Sequence, residues 1–458
     1  MPRLRILLWW DTEDYINTES DKALRLLLEA HRAREMPAVW KLVGEKSRAL
    51  EARERQDIID LLRDPLFEVG YHTDFHSAHP TIGEYTEGLA WQDGVAAILT
   101  RETKGLDDTL RIVGKPLICY GQPGASYTPH AYGAMEAWGI PAYLGDSVYL
   151  GLNDRPCYVA GKLSIVWMEK AHARFPARRG DEALTTARQD IREHLDNPPA
   201  GALISQGGHP NEWSLAEWWD EVNFAGGKSP SREQWRSART HSDAQLAHLV
   251  ERYGQYLDWL REIGVEPISL REIFGRYTPG DYWLDADSAR EAAVQWAEGE
   301  ITYYQDLERG KSFSPAQIMV GLASLFVRDK RYTAVPEIEP PLHDVESEAI
   351  TGPLPFSVIE AASKALLAHA HASGSLPSVV QLDSRRIALA DLAQCIALAW
   401  LGRPQRQPHA RLLPAEQLRV YGRDVGPWSI HRPDFTGESL RRLTALLAWT
   451  LKPALLTN

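Results

Sequence analysis

Phe67-Glu68-Val69-Gly70-Tyr71-His72-Thr73-Asp74-Phe75-His76 holds the side chains best suited to chemistry in this chain, two histidines four residues apart after a short strand-like run. On a helical turn, positions i and i+4 share a face, so both imidazoles could reach one cation. Imidazole suits zinc and its first-row neighbours. Alone the pair is a weak signal, because 15 histidines produce this spacing by chance. Its company gives it weight. Asp11, Glu13 and Asp14 follow the apolar run 6–10, Asp146 follows 142–144, and His209 follows 202–205.

Two neutral imidazoles and one carboxylate form a three-ligand face that leaves positions open for water and substrate. A cation held this way lowers the pKa of bound water from 15.7 toward about 7 and polarises a carbonyl. A carboxylate beside it can take the water's proton, and a histidine opposite can return one to a leaving nitrogen. Asp11 suits the first task and His209 the second. The pattern leaves the carboxylate ligand open: strand alternation puts Glu13 on the side of Asp11, whereas a turn starting at Thr12 favours Asp14.

The elements that must position these residues alternate. Strands are expected at 5–10, 38–43, 66–71, 116–120, 142–144, 163–168, 202–205 and 267–270. Helices are expected at 20–34, 45–62, 84–101, 105–113, 129–138, 182–195 and 243–263. Such alternation over some 270 residues predicts a parallel α/β architecture, and in a β/α barrel the C-terminal strand ends carry the site. Beyond Tyr277-Thr278-Pro279-Gly280 the pattern becomes helical (289–305, 314–328, 355–372, 389–401, 439–451). Two parts are expected: 1–278, an irregular (β/α)7-8 barrel, and 279–458, a mostly α-helical domain.

Composition sets outer limits. The 458 residues suffice for two domains. A formal charge of −12 argues against binding nucleic acid or an anionic membrane, which needs a surplus of lysine and arginine. Cys119, Cys157 and Cys395 are too few and too scattered for a disulfide framework and are expected to be buried thiols. The apolar run 6–10 is shorter than a secretory core, and no stretch reaches membrane-helix length, so a cytoplasmic location is the default expectation.

Taken together, the motifs resemble the NodB-homology polysaccharide deacetylases (carbohydrate esterase family 4 and relatives) over residues 3–275. Asp11-Thr12-Glu13-Asp14-Tyr15 resembles that family's first motif, with the leading Asp as base and a following acid on the metal. His72-Thr73-Asp74-Phe75-His76 matches its second, H-[ST]-x-x-H, with both histidines as ligands. Tyr120-Gly121-Gln122-Pro123-Gly124 stands at the third, where the resemblance implies that Tyr120 and the Gly124 N–H contact substrate and oxyanion. Gln206-Gly207-Gly208-His209-Pro210 resembles the fifth, with His209 as the acid and Asp146 where a supporting acid often falls. The third motif departs from the family, since Gly121 replaces an arginine that orients the base.

The resemblance implies a metal-dependent hydrolase of amide bonds, with zinc (or cobalt, nickel or manganese), acting on an N-acetylated carbohydrate or glycoconjugate. A small ureide or formamide on the same site is the second reading. With Gly121 in place of arginine, a catalytically inactive barrel that binds glycan is a third. Trp213, Trp218, Trp219 and Trp235 could line a sugar cleft or cap the barrel.

Overall fold

A computed structural model describes residues 3–457 except 146–149, 167–169, 329–331, 344, 349, 383–384 and 417–427. Ten strands lead the chain: β1 (Arg5–Thr12), β2 (Ala38–Leu42), β3 (Phe67–Tyr71), β4 (Leu117–Tyr120), β5 (Ala142–Gly145), β6 (Cys157–Val159), β7 (Lys162–Val166), β8 (His172–Arg174), β9 (Leu203–Gly208) and β10 (Glu266–Pro267). In the order β8-β9-β1-β2-β3-β4-β5-β7 they pair in parallel, β6 adds antiparallel to β7, and Lys452–Pro453 adds antiparallel to β6. β10 lies against the start of β1. No pairing among the described residues joins β8 to Lys452–Pro453, so the sheet is a curled half-barrel rather than a closed ring.

The parallel strands are apolar on both faces because helices cover one side and the curled sheet encloses the other. β1 shows the consequence. Leu8 and Trp10 face the helices, where Trp10 stacks on Trp40 of β2 at 5.4 Å and an interplanar angle of 9°. Leu7 and Trp9 face inward with Val39, Cys119 and Leu144. Trp40 is fully buried, so Trp40→Ala is expected to destabilise the fold by about 3–5 kcal/mol, read as a lower midpoint in urea unfolding.

Most expected elements recur with small shifts, but the helices expected at 84–101 and 105–113 are a short helix, Ile82–Thr86, and one long helix, Trp91–Val113, and the helix expected at 289–305 ends at Ala297. The helix expected at 45–62 is two, Gly44–Ala52 and Gln56–Leu62, parted at Glu54, whose φ of 54° is left-handed. All three cysteines are free and buried. No helix among the described residues is long and apolar enough to cross a membrane.

Beyond residue 279, helices Ala286–Ala297, Pro315–Arg328, Phe356–Ser373 and Leu389–Trp400 enclose a core of their own. The final stretch returns to the half-barrel. Leu447, Ala448 and Leu451 enter its core, Leu455–Leu456 pairs with Tyr277–Thr278, and Ile430 packs with Tyr15 and Trp219.

Candidate metal centre

β1 delivers two acids to the interior. Asp11 and Glu13 follow Trp9 at two-residue spacing and point inward with it. Asp14 turns away: its carboxylate accepts hydrogen bonds from the Ile16 and Asn17 amides (2.9 and 3.0 Å) and from the Asn17 side chain, closing the turn into helix Thr18–Arg32. Of the two acids left open by the sequence, Glu13 is the one beside the histidines.

The histidine pair lies on a loop after β3, not on the helical turn expected from its spacing. Thr73 and His76 adopt φ of 65° and 56°, uncommon values for residues with a side chain. The loop is braced by the Gly44 and Glu45 amides bonding to the Thr73 and Asp74 carbonyls, by Arg48 on Asp74 (2.6 Å), and by the Tyr15 hydroxyl on the Phe75 carbonyl (2.9 Å). This bend brings the two imidazole centroids to 5.0 Å.

Ligand atoms of Glu13, His72 and His76 lie within 4.8 Å of one another, and all three residues are buried. Nδ1 of His72 faces the Gly121 carbonyl at 3.0 Å. A carbonyl only accepts, so the proton sits on Nδ1 and Nε2 is a bare lone pair. Nδ1 of His76 contacts Ser77 Oγ at 2.6 Å, and that hydroxyl donates to Asp220 Oδ2 at 2.7 Å, so the His76 Nδ1–H donates to Ser77 and its Nε2 is turned toward Glu13. Both Nε2 atoms are buried without a hydrogen-bond partner, and they face Glu13 Oε2 at 3.8 and 2.9 Å. With their Nδ1 atoms engaged elsewhere, the two imidazoles and a Glu13 oxygen converge on one point. The donor set therefore fits a divalent cation, and an N2O set suits zinc and its neighbours.

Of the partners around this trio, Ser77 and Asp220 were not singled out from the sequence, and Trp219 was expected only at a sugar cleft or as a cap on the barrel. Trp219 Nε1 donates to Glu13 Oε1 at 2.9 Å, leaving Oε2 for the imidazoles. Asp220, through Ser77, fixes His76; burial lifts its carboxyl to about 7. Outer partners of this kind tune metal affinity. Ser77→Ala is expected to weaken divalent-cation binding by about 10–100-fold, measured by competition with a chromogenic chelator.

Asp11 sits beside the trio. Lys41 Nζ is 2.7 Å from its Oδ1, His72 Nδ1 is 3.6 Å from the same atom, and His209 Nε2 is 3.7 Å from Oδ2. Burial works against its charge, but His72, Lys41 and His209 outweigh burial and hold the carboxyl below its usual range. His209, past the end of β9, faces Glu212 Oε1 at 3.6 Å, and Arg174 holds that oxygen at 2.9 Å. Burial disfavours the imidazolium, yet Glu13, Glu212 and Asp11 raise His209 to about 9. Trp218 packs edge-on against it at 5.1 Å.

The third motif divides. Gly124, at φ 47°, lies beneath the Trp428 ring, 2.7 Å from where a Cβ would stand, and Trp428 also meets His76 edge-on at 5.5 Å. Tyr120, expected at the substrate, instead packs against Trp138 and Tyr143 in the helix-facing core, because a strand residue adjacent to an inward Cys119 must face out. Asp146 lies outside the described residues. Of the tryptophans of the 213–235 segment, Trp213 joins the core around Trp10, Trp235 packs on Tyr15 and Phe224, and Trp218 and Trp219 reach the site.

No family model matches the chain, and no curated protein matches it. Solved structures do. A CE4 family pseudoenzyme from Bacillus anthracis is 12% identical, over 59% of this chain and 65% of that one, with a TM-score of 0.34. The peptidoglycan deacetylase PdaC from Bacillus subtilis is 11% identical, over 60% of this chain and 91% of that one, at 0.33. A protein described as a polysaccharide deacetylase, from Mycobacterium smegmatis, is 14% identical, over 59% and 88%, at 0.37. These three are thus a CE4 family pseudoenzyme, a peptidoglycan deacetylase and a protein described as a polysaccharide deacetylase, at low identity and partial coverage, and the chemistry rests on the side chains described above.

Proposed function

We propose that the chain is a metal-dependent hydrolase of amide bonds that deacetylates an N-acetylated carbohydrate or glycoconjugate. The observation that carries this reading is the pair of buried imidazole Nε2 atoms converging with a Glu13 oxygen, with a carboxylate and a histidine 3.7 Å apart beside them. Glu13, His72 and His76 would hold the cation, zinc or alternatively cobalt, nickel or manganese. When bound, it supplies an acidified water and a polarised carbonyl. Asp11 takes the proton from the attacking water, for which it must be ionised, and its lowered pKa provides that state. His209, charged and held by Glu212, gives a proton to the departing nitrogen. The Gly124 N–H is assigned to the oxyanion.

A small cyclic or linear amide is the second reading, favoured by the Trp428 ring that roofs His76 and Gly124. Product analysis separates the two: released acetate from acetylated sugars supports the first, turnover confined to ureides or formamides supports the second, and no turnover of either by metal-loaded protein overturns both.

A further inference from the structure

β2 reads Ala-Val-Trp-Lys-Leu, and every residue of it is buried. A lysine in such a strand is an outlier, since lysine is almost never fully buried unless paired. Lys41 is 0% exposed. Its ammonium meets Asp11 Oδ1 at 2.7 Å, donates to the Leu144 carbonyl at 2.6 Å, and lies over the Trp9 ring at 4.2 Å. These three contacts, two on β1 and one on β5, fix it to one place. Among the described residues the Asp11 carboxylate is its one anionic partner, and it meets that group in the interior of the half-barrel.

The space it occupies explains Gly121. A Cβ at residue 121 would collide with the Lys41 ammonium and stand 2.7 Å from the Leu144 carbonyl. The same glycine turns its own carbonyl toward His72 Nδ1. A bare backbone at 121 therefore admits the cation from β2 and orients a candidate ligand at once.

We propose that Lys41 is the positioning residue for Asp11, supplying from β2 the cation that the third motif does not supply at Gly121. The proposal rests on the amide-hydrolase reading above. Lys41 does not touch the reacting atoms. It holds one carboxylate oxygen, so that the other stays toward His209 and the attacking water.

The test compares full-length, metal-loaded parent with Lys41→Met, close to lysine in length but uncharged, and with Lys41→Gln as the fallback should the first fail to fold. Misplacing a reacting group by about 1 Å can cost about 10²-fold, so kcat is expected to fall by about that factor, with KM and metal stoichiometry unchanged. In an Asp11→Asn background the same substitution should cost nothing further, whereas a purely structural lysine would cost the same in both. A crystal structure of the variant should show the Asp11 carboxylate turned away from its place 3.7 Å from His209. A folded, metal-loaded variant with parental kcat and an unmoved Asp11 overturns the proposal. A parent that binds metal but cleaves no amide overturns the hydrolase reading instead.

Discussion

His76→Ala is expected to abolish stoichiometric binding of a divalent cation and to lower amide hydrolysis by about 10⁴-fold or more, since hydroxide near neutral pH depends on lowering the pKa of water by about nine units. Two donors, His72 and Glu13, would remain, fewer than the three protein ligands of a catalytic zinc site. The substitution should not unfold the chain, because His76 lies on a loop outside the main apolar cores. Atomic emission on the purified variant, alongside circular dichroism, checks both halves: metal retained at one ion per chain would mean that His76 is not a ligand.

His209→Ala is expected to lower kcat by about 10²–10⁴-fold with metal content unchanged, the range for loss of a positioned acid. The pH profile gives an independent readout. His209 must be protonated to act as an acid, so activity should fall as pH rises through its pKa. In the metal-free protein that lies at about 9, and a bound cation nearby opposes the charge and moves the alkaline limb lower. Stability is linked to the same group. Its folded pKa exceeds the ordinary 6.5, so the metal-free protein gains stability from charged His209 that is complete below about pH 6.5 and lost as pH rises through about 9. Thermal midpoints of parent and His209→Ala across this interval should converge at the alkaline end. Hydrolysis unaffected by the substitution would assign the acid elsewhere.

Most of the parallel strands were legible because a strand buried on both faces is a nearly continuous apolar run, whereas β8, the short His172–Arg174, carries no such run and was not expected. Period-two alternation along β1 also carried the information that selects Glu13 over Asp14, once the strand is seen to run through Thr12. The conformation around His72 and His76 was not legible. Four-residue spacing suits a helix, and only the left-handed Thr73 and His76, held by contacts from two other segments, make it a loop. Tyr120 was misplaced because the motif gives its neighbours but not the face it takes on β4.

The supporting partners escaped for a different reason. Glu212 and Asp220 sit in an irregular excursion after β9 with no period to read, Trp219 of the same stretch was expected only at a sugar cleft or barrel cap, and Trp428 arrives from more than 300 residues beyond His76. Lys41 left one visible signal, a single charge in the apolar strand β2, whose partner could be found only once β1 was placed beside it.

The central claim is that one divalent cation binds between Glu13, His72 and His76. Anomalous diffraction from a zinc- or cobalt-loaded crystal tests it most directly. The account predicts a single peak within about 2.0–2.2 Å of both Nε2 atoms and a Glu13 oxygen; a peak elsewhere, or none at saturating metal, would contradict it.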